Sequence, residues 1–284
     1  MKTSNKILLI FVSVILTFCT KTTDNIDPNA GTGTTTNSST GTTGKGQPGV
    51  VGISGMDAWD KLSTTEKSRV KDWNAIFMHQ SVGGDLEDGA NNNGIKFEYF
   101  DLNEKPKGLS GNVFSVSNGD PIGKIAEFKK NALAHKAILK IAIFKFGYAD
   151  INDVNIEQVK TAYKGLIEDL RSQIPELRFV HITPPLIYIV SKDDGNAAKM
   201  KIGQWMKDTF KDKDSVFDLQ EIESDNGSCN VIGVWIICNK YRSTASCPSK
   251  NQGIDAPEGQ GHLCESAATR ISKAFLYSIY QIGK

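Results

Sequence analysis

From residue 75 to residue 282 the chain alternates short β-branched or aromatic runs with longer stretches whose apolar residues recur at helical spacing, and this limits the architectures open to it. Residues 75–78 (AIFM) stop at a Gly-rich turn, His79-Gln80-Ser81-Val82-Gly83-Gly84. Residues 96–102 (KFEYFDL) alternate with period two and predict a second strand. Residues 138–146 (ILKIAIFKF) predict another, ending at Gly147-Tyr148, followed by residues 177–183 and a short strand over 215–219. Helices are expected over 121–136, 156–173, 197–210 and 265–282, the first opening with Asp120 as N-cap and Pro121 at the first helical position. Strands separated by helices of this length need parallel crossovers, so the expected fold is α/β, a three-layer α/β/α sandwich with a mainly parallel central sheet. In such sheets ligands bind beyond the carboxyl ends of the strands, where Ser81, Gly147 and Thr183 fall.

The first fifty residues read differently. Lys2 and Lys6 flank the start of an uncharged apolar run over 7–18 (ILLIFVSVILTF), a signal-peptide core too short to span a bilayer comfortably. The run ends at Leu16-Thr17-Phe18-Cys19, which resembles a bacterial lipobox and implies lipidation of Cys19. Residues 1–19 are therefore expected to be a lipoprotein signal, and the lipid anchor to make the membrane a partner. No aspartate follows Cys19, which points to the outer membrane or cell surface. Residues 20–50 are rich in Thr, Gly and Ser with few apolar side chains, the composition of a flexible tether, and residues 51–284 are expected to form one domain.

A formal net charge of +1, with lysines scattered among acidic residues, argues against nucleic acid as a partner. Beyond Cys19, four cysteines remain, Cys229, Cys238, Cys247 and Cys264. An even set in an exported chain predicts two disulfides in one of three pairings, with one bridge expected to tie Cys264 to the insertion before it. The competing reading is a zinc site using these thiolates and His262, but no C-x-x-C pair is present.

Ser81 leaves a strand for a turn before a helix, where backbone N–H groups favour developing negative charge. A serine needs a base to become a nucleophile. Of the four histidines, His135 and His181 fall in a helix and a buried strand, and His79 lies two residues from Ser81. His262, in a Gly-rich loop with Asp255 and Glu258 nearby, is the best candidate.

Met78-His79-Gln80-Ser81-Val82-Gly83-Gly84, Gly147-Tyr148-Ala149-Asp150, residues 179–186 (FVHITPPL) and Gly259-Gln260-Gly261-His262-Leu263 occur in the order and context of the conserved blocks of the SGNH (GDSL-like) hydrolases, which the chain resembles over nearly all of 75–284. The resemblance implies a flavodoxin-like arrangement of the sheet, Ser81 as nucleophile, His262 as base, and no cofactor or metal. Three departures stand out: His79-Gln80 replaces the usual Gly-Asp before the serine, Ala149 replaces the oxyanion asparagine, and Gly259 falls where the acid of D-x-x-H belongs. The acid is then Glu258 or Asp255. Oxyanion and substrate contacts fall to Gly111, Asn118, Gly119, Gly147 and Asp150, with Gly111 and Gly119 both open as the second-block glycine. The implied activity is hydrolysis of an ester-bearing small molecule or an O-acylated glycan at the cell surface. Two alternatives remain: a non-catalytic binding module that kept the fold, for which Ala149 speaks, and a structural or adhesive lipoprotein lacking a cleft between Ser81 and His262.

Overall fold

Along the central strands apolar side chains alternate between two helical layers, as a sheet buried on both faces requires. The computed structural model describes residues 46–101, 104, 108–188, 195–251, 253 and 261–284. Cys19 and most of the expected tether lie outside these residues. Six strands form one sheet: β1 (Gly49–Val51), β2 (Asn74–His79), β3 (Gly108–Val113), β4 (Ile141–Lys145), β5 (Arg178–Ile182) and β6 (Ser215–Phe217). Their order is β1-β6-β5-β4-β2-β3 and every pairing is parallel. In β4, Ile141 and Ile143 face one core while Ala142 and Phe144 face the other.

Helices α1 (Ser54–Lys61), α2 (Thr64–Arg69), α3 (Val82–Asn92), α4 (Pro121–Ala134), α5 (Ile156–Gln173), α6 (Asn196–Phe210), α7 (Leu219–Glu223) and α8 (Glu265–Gly283) complete the domain. Apolar residues of α1, α3 and α8 fill one core, and those of α4, α5 and α6 the other. This is a three-layer α/β/α sandwich. Among the described residues no helix is long and apolar enough to cross a membrane.

The helical expectations match closely: α5 spans Ile156–Gln173, and the Asp120 side chain caps α4 by accepting from the Gly123 N–H at 2.8 Å. The second strand is a correction. Residues 96–101 do not form it; Glu98 makes a single bridge to Ser110, and the strand beside β2 is β3, with sequence GLSGNV. Glycine and asparagine disfavour strands in isolation, but full register with β2 and the tight approach of Glu87 over Gly111 override the propensity. The described end of the tether is also ordered: the Gly46 and Gln47 N–H groups donate to the Lys284 and Gln281 carbonyls, and β1 begins at Gly49.

β3 and β4 lie on opposite sides of β2, so the chain switches direction across the sheet at the carboxyl end of β2. That crevice is where open α/β sheets bind ligands, and Ser81 stands in it. The layer above is tightly set, since a Cβ on Gly89 of α3 would lie 2.1 Å from the Ala268 carbonyl oxygen of α8. Gly89→Leu is expected to lower stability by at least about 1–3 kcal/mol through overpacking. Gly165→Ala, in the middle of α5 with open space around it, is expected to raise it by about 0.5–1 kcal/mol. Chemical denaturation measures both, and loss of stability at Gly165 or none at Gly89 would contradict the packing.

Candidate active site

β2 ends at His79, and the chain reverses into α3 through Ser81, whose φ of 55° and ψ of −118° are strained for a residue with a Cβ. The turn is fixed on both sides. Gln80 Nε2 donates to the carbonyls of Phe114 at 2.9 Å and Val116 at 2.7 Å, and the Ser81 carbonyl accepts from the Gly84 N–H at 2.7 Å. The strained turn presents the hydroxyl at the sheet's edge, and Ser81 Oγ lies 2.5 Å from His262 Nε2.

His262 arrives from the loop before α8. Gly261, at φ +95°, passes so close to Leu186 that a Cβ would sit 2.4 Å from its carbonyl oxygen, so both conformation and space require glycine. The loop is then hydrogen-bonded into the preceding insertion: the Ser243 N–H donates to the His262 carbonyl at 2.6 Å and the Cys264 N–H to that of Tyr241 at 3.0 Å. The disulfide Cys247–Cys264 closes the same segment, and Cys229–Cys238 closes a second loop in the insertion. By loop closure the first contributes about 3 kcal/mol. The Tyr148 ring stands edge-on to the His262 ring with centroids 6.2 Å apart.

The sequence reading missed the residue that joins these two halves. Asp85, one helical turn after Ser81, is 1% exposed. Its carboxylate accepts from Ser249 Oγ at 2.6 Å and from the Leu263 N–H at 3.0 Å. Burial pushes its pKa up, while the Ser249 hydrogen bond and the nearby His262 pull it down. An aspartate on the apolar face of a helix, four residues after a candidate nucleophile, was the available signal.

The other expected site residues fall differently. Asp255 and Glu258 lie outside the described residues. Asp150 is fully buried, not substrate-facing: Lys124 Nζ donates to both carboxylate oxygens at 2.8 Å, and the N–H groups of Gly119 and Gly147 donate to them at 2.8 and 2.6 Å. Those two N–H groups are thereby committed to Asp150. The Gly111 N–H donates to the Glu98 carbonyl at 3.1 Å, so it too is taken. Asn118 Oδ1 accepts from Lys124, which fixes the amide so that Nδ2 remains as donor. His79 Nε2 pairs with Glu87 at 3.0 Å instead of turning to Ser81.

No protein-family model matches the chain, and no curated protein is significantly similar to it. All four cysteines after Cys19 are in disulfides, and no cluster of three or more metal-ligating side chains occurs among the described residues.

Beneath the site lie two further buried ionisable groups. Lys145 continues the inward face of β4 and donates to the Phe146 carbonyl at 3.1 Å, and Glu223 accepts from the Leu186 N–H at 2.7 Å. Burial pushes Lys145 down to about 8, against the pull of Asp150 and Glu223. Burial likewise pushes Glu223 up to about 8, opposed by the Leu186 N–H and Lys145.

Two measurements follow from this geometry. Ser81→Gly relieves strain of about 1–3 kcal/mol but adds about 0.5–1 kcal/mol of unfolded-state entropy, so it is expected to raise stability by about 1 kcal/mol, whereas Ser81→Ala should give no such rise. Equal stabilities for the two variants would remove the strain. Because the folded state holds the Glu223 proton more tightly than the unfolded chain does, this group's contribution is full below its ordinary value and lost as pH rises through about 8. The Lys145 contribution has the opposite course, a cost below about 8 that is relieved as pH climbs toward its ordinary 10.5. Wild-type Tm is expected to decline between about pH 5 and pH 8, and Glu223→Gln, which keeps an acceptor for Leu186, should lose that decline. An unchanged profile would place the titration elsewhere.

Proposed function

We propose that the domain is a serine esterase that removes O-acyl groups from a glycan at the bacterial cell surface, as an SGNH-like hydrolase. The observation that carries this reading is the 2.5 Å approach of Ser81 Oγ to His262 Nε2 at the switch point of the sheet. A serine in a strained strand-to-helix turn, hydrogen-bonded to a histidine from a different loop, is the arrangement nucleophilic acyl transfer needs.

In the first half-reaction His262 Nε2 takes the Ser81 hydroxyl proton as Oγ bonds to the ester carbonyl carbon. The tetrahedral oxyanion is met by the Ser81 N–H at the start of α3, where the helix dipole adds to the attraction, and by Asn118 Nδ2 in place of the missing asparagine side chain at Ala149. The carbon–alkoxy bond then breaks, and His262 gives its proton to the departing alcohol. Water repeats the sequence on the acyl-enzyme: His262 takes a proton, hydroxide adds to the carbonyl, and collapse releases the acid as Ser81 regains its hydrogen. Asp85 acts as a positioning residue, holding the backbone beside His262, and Glu258 or Asp255 supplies the carboxylate that orients the imidazole.

The location is part of the same proposal. Lipidation at Cys19 anchors the domain to the outer membrane or cell surface, and two disulfides suit an oxidising compartment. Ala149 favours a second reading, a binding module without turnover, and a chromogenic short-chain ester separates the two. Ser81→Ala and His262→Ala are each expected to lower kcat by about a thousandfold or more, with the double variant little worse because the pair acts as a unit. Asp85→Asn should cost about a hundredfold through misplacement of His262. Glu258→Gln and Asp255→Asn, made singly, identify the acid as the one with the larger loss. A wild-type rate that survives Ser81→Ala would rule out the nucleophile.

A further inference from the structure

A cavity of about 200 Å³ opens beside Ser81, between the start of α3 and the outer edge of the sheet. Glu87 and Asp88 reach it from α3, Asn251 from the insertion, and Tyr99 and Val113 from the sheet edge. Val113 is aliphatic and Tyr99 and His79 add rings, but the other lining side chains are polar, so the alkyl chain of a fatty acyl group would cover carboxylates and amides without offering them hydrogen bonds. The cavity is built for a polar group.

The charge pattern narrows its chemistry. The two carboxylates are held from behind: His79 Nε2 lies 3.0 Å from Glu87 Oε1, and Lys250 Nζ 3.6 Å from Asp88 Oδ1. Both side chains offer acceptor oxygens, and an anionic ligand would meet two like charges at close range. Tyr99 is 59% exposed, yet its hydroxyl donates to Glu87 Oε2 at 2.9 Å, which holds the ring in place with a face open to solvent. An aromatic face bordered by carboxylate and amide oxygens matches a sugar ring, with its C–H face on the aromatic and its hydroxyls on the acceptors.

We propose that this cavity is the acceptor subsite and takes one neutral, hydroxyl-bearing sugar ring, with Tyr99 as stacking platform and Glu87, Asp88 and Asn251 as hydrogen-bond partners. Its catalytic meaning rests on the esterase reading of Ser81 and His262, but its binding is measurable without turnover. Calorimetry on the Ser81→Ala chain compares neutral hexasaccharides of xylose, glucose and mannose with hexagalacturonate at one ionic strength. The best neutral ligand is expected to bind at least about tenfold more tightly than the anionic one. Adding Tyr99→Ala should weaken it about tenfold while Tyr99→Phe stays within about threefold, and Glu87→Gln with Asp88→Asn should narrow the neutral-over-anionic ratio. Binding of hexagalacturonate as tight as that of every neutral sugar, or neutral binding unmoved by Tyr99→Ala, overturns the subsite. With Ser81 intact, Tyr99→Ala should raise KM on an acetylated neutral glycan more than it lowers kcat. Turnover of a chromogenic ester without oligosaccharide binding sinks the subsite alone, whereas Tyr99-dependent binding without any turnover sinks the esterase and leaves the subsite standing.

Discussion

The buried carboxylate of Asp85 is the contact on which the geometry around Ser81 depends. It sits on the first turns of α3, one helical turn from Ser81, and reaches across to the Leu263 N–H and the Ser249 hydroxyl. A carboxylate with 1% exposure is costly unless it is hydrogen-bonded, so the long insertion before α8 is stable against α3 only in the arrangement that satisfies it. That same arrangement brings His262 to Ser81. The serine and the histidine come from segments 181 residues apart, and a single helix presents one of them and the anchor of the other.

The rest of the carboxyl end of the sheet is organised by a second buried carboxylate. Asp150 ties the loop after β3 to the loop after β4 through the N–H groups of Gly119 and Gly147, and its charge is met by Lys124. The bonds that make these loops rigid use up the very N–H groups the resemblance would have assigned to an oxyanion. The proposed mechanism accordingly draws its donors from the α3 N-terminus and Asn118. Lys145 on β4 and Glu223 on α7 add two further buried ionisable groups near this end of the sheet, each shifted by burial against the pull of its neighbours.

Much of the fold was legible because the signals were local. The run ILKIAIFKF, the Asp120-Pro121 start of α4 and the spacing of α5 each state a conformation within a few residues, and the structure follows them. β3 was not legible, because GLSGNV has weak intrinsic preference and becomes a strand only by pairing with β2. KFEYFDL misled for the complementary reason: alternation does not supply a neighbour, and among its described residues only Glu98 bridges to the sheet. Lys145 was visible as a lysine in a strand, but nothing local said that its charge would be fully buried.

The sequence by itself determined the α/β architecture, the turn that carries Ser81, the Gly261-His262 loop and the even set of four cysteines after Cys19. Each of these follows from periodicity, residue chemistry or counting over a short span. Tertiary structure alone decided the disulfide pairing, the partner of Ser81, the inward turn of Asp150, and the bond from Asp85 to Leu263. Those depend on which side chains meet after the sheet closes its order and α8 packs on α3, and long-range proximity leaves no trace in local spacing. Sequence favoured His262 as the base but could not show what His79, two residues from Ser81, would face; packing turned His79 to Glu87 and His262 to Ser81.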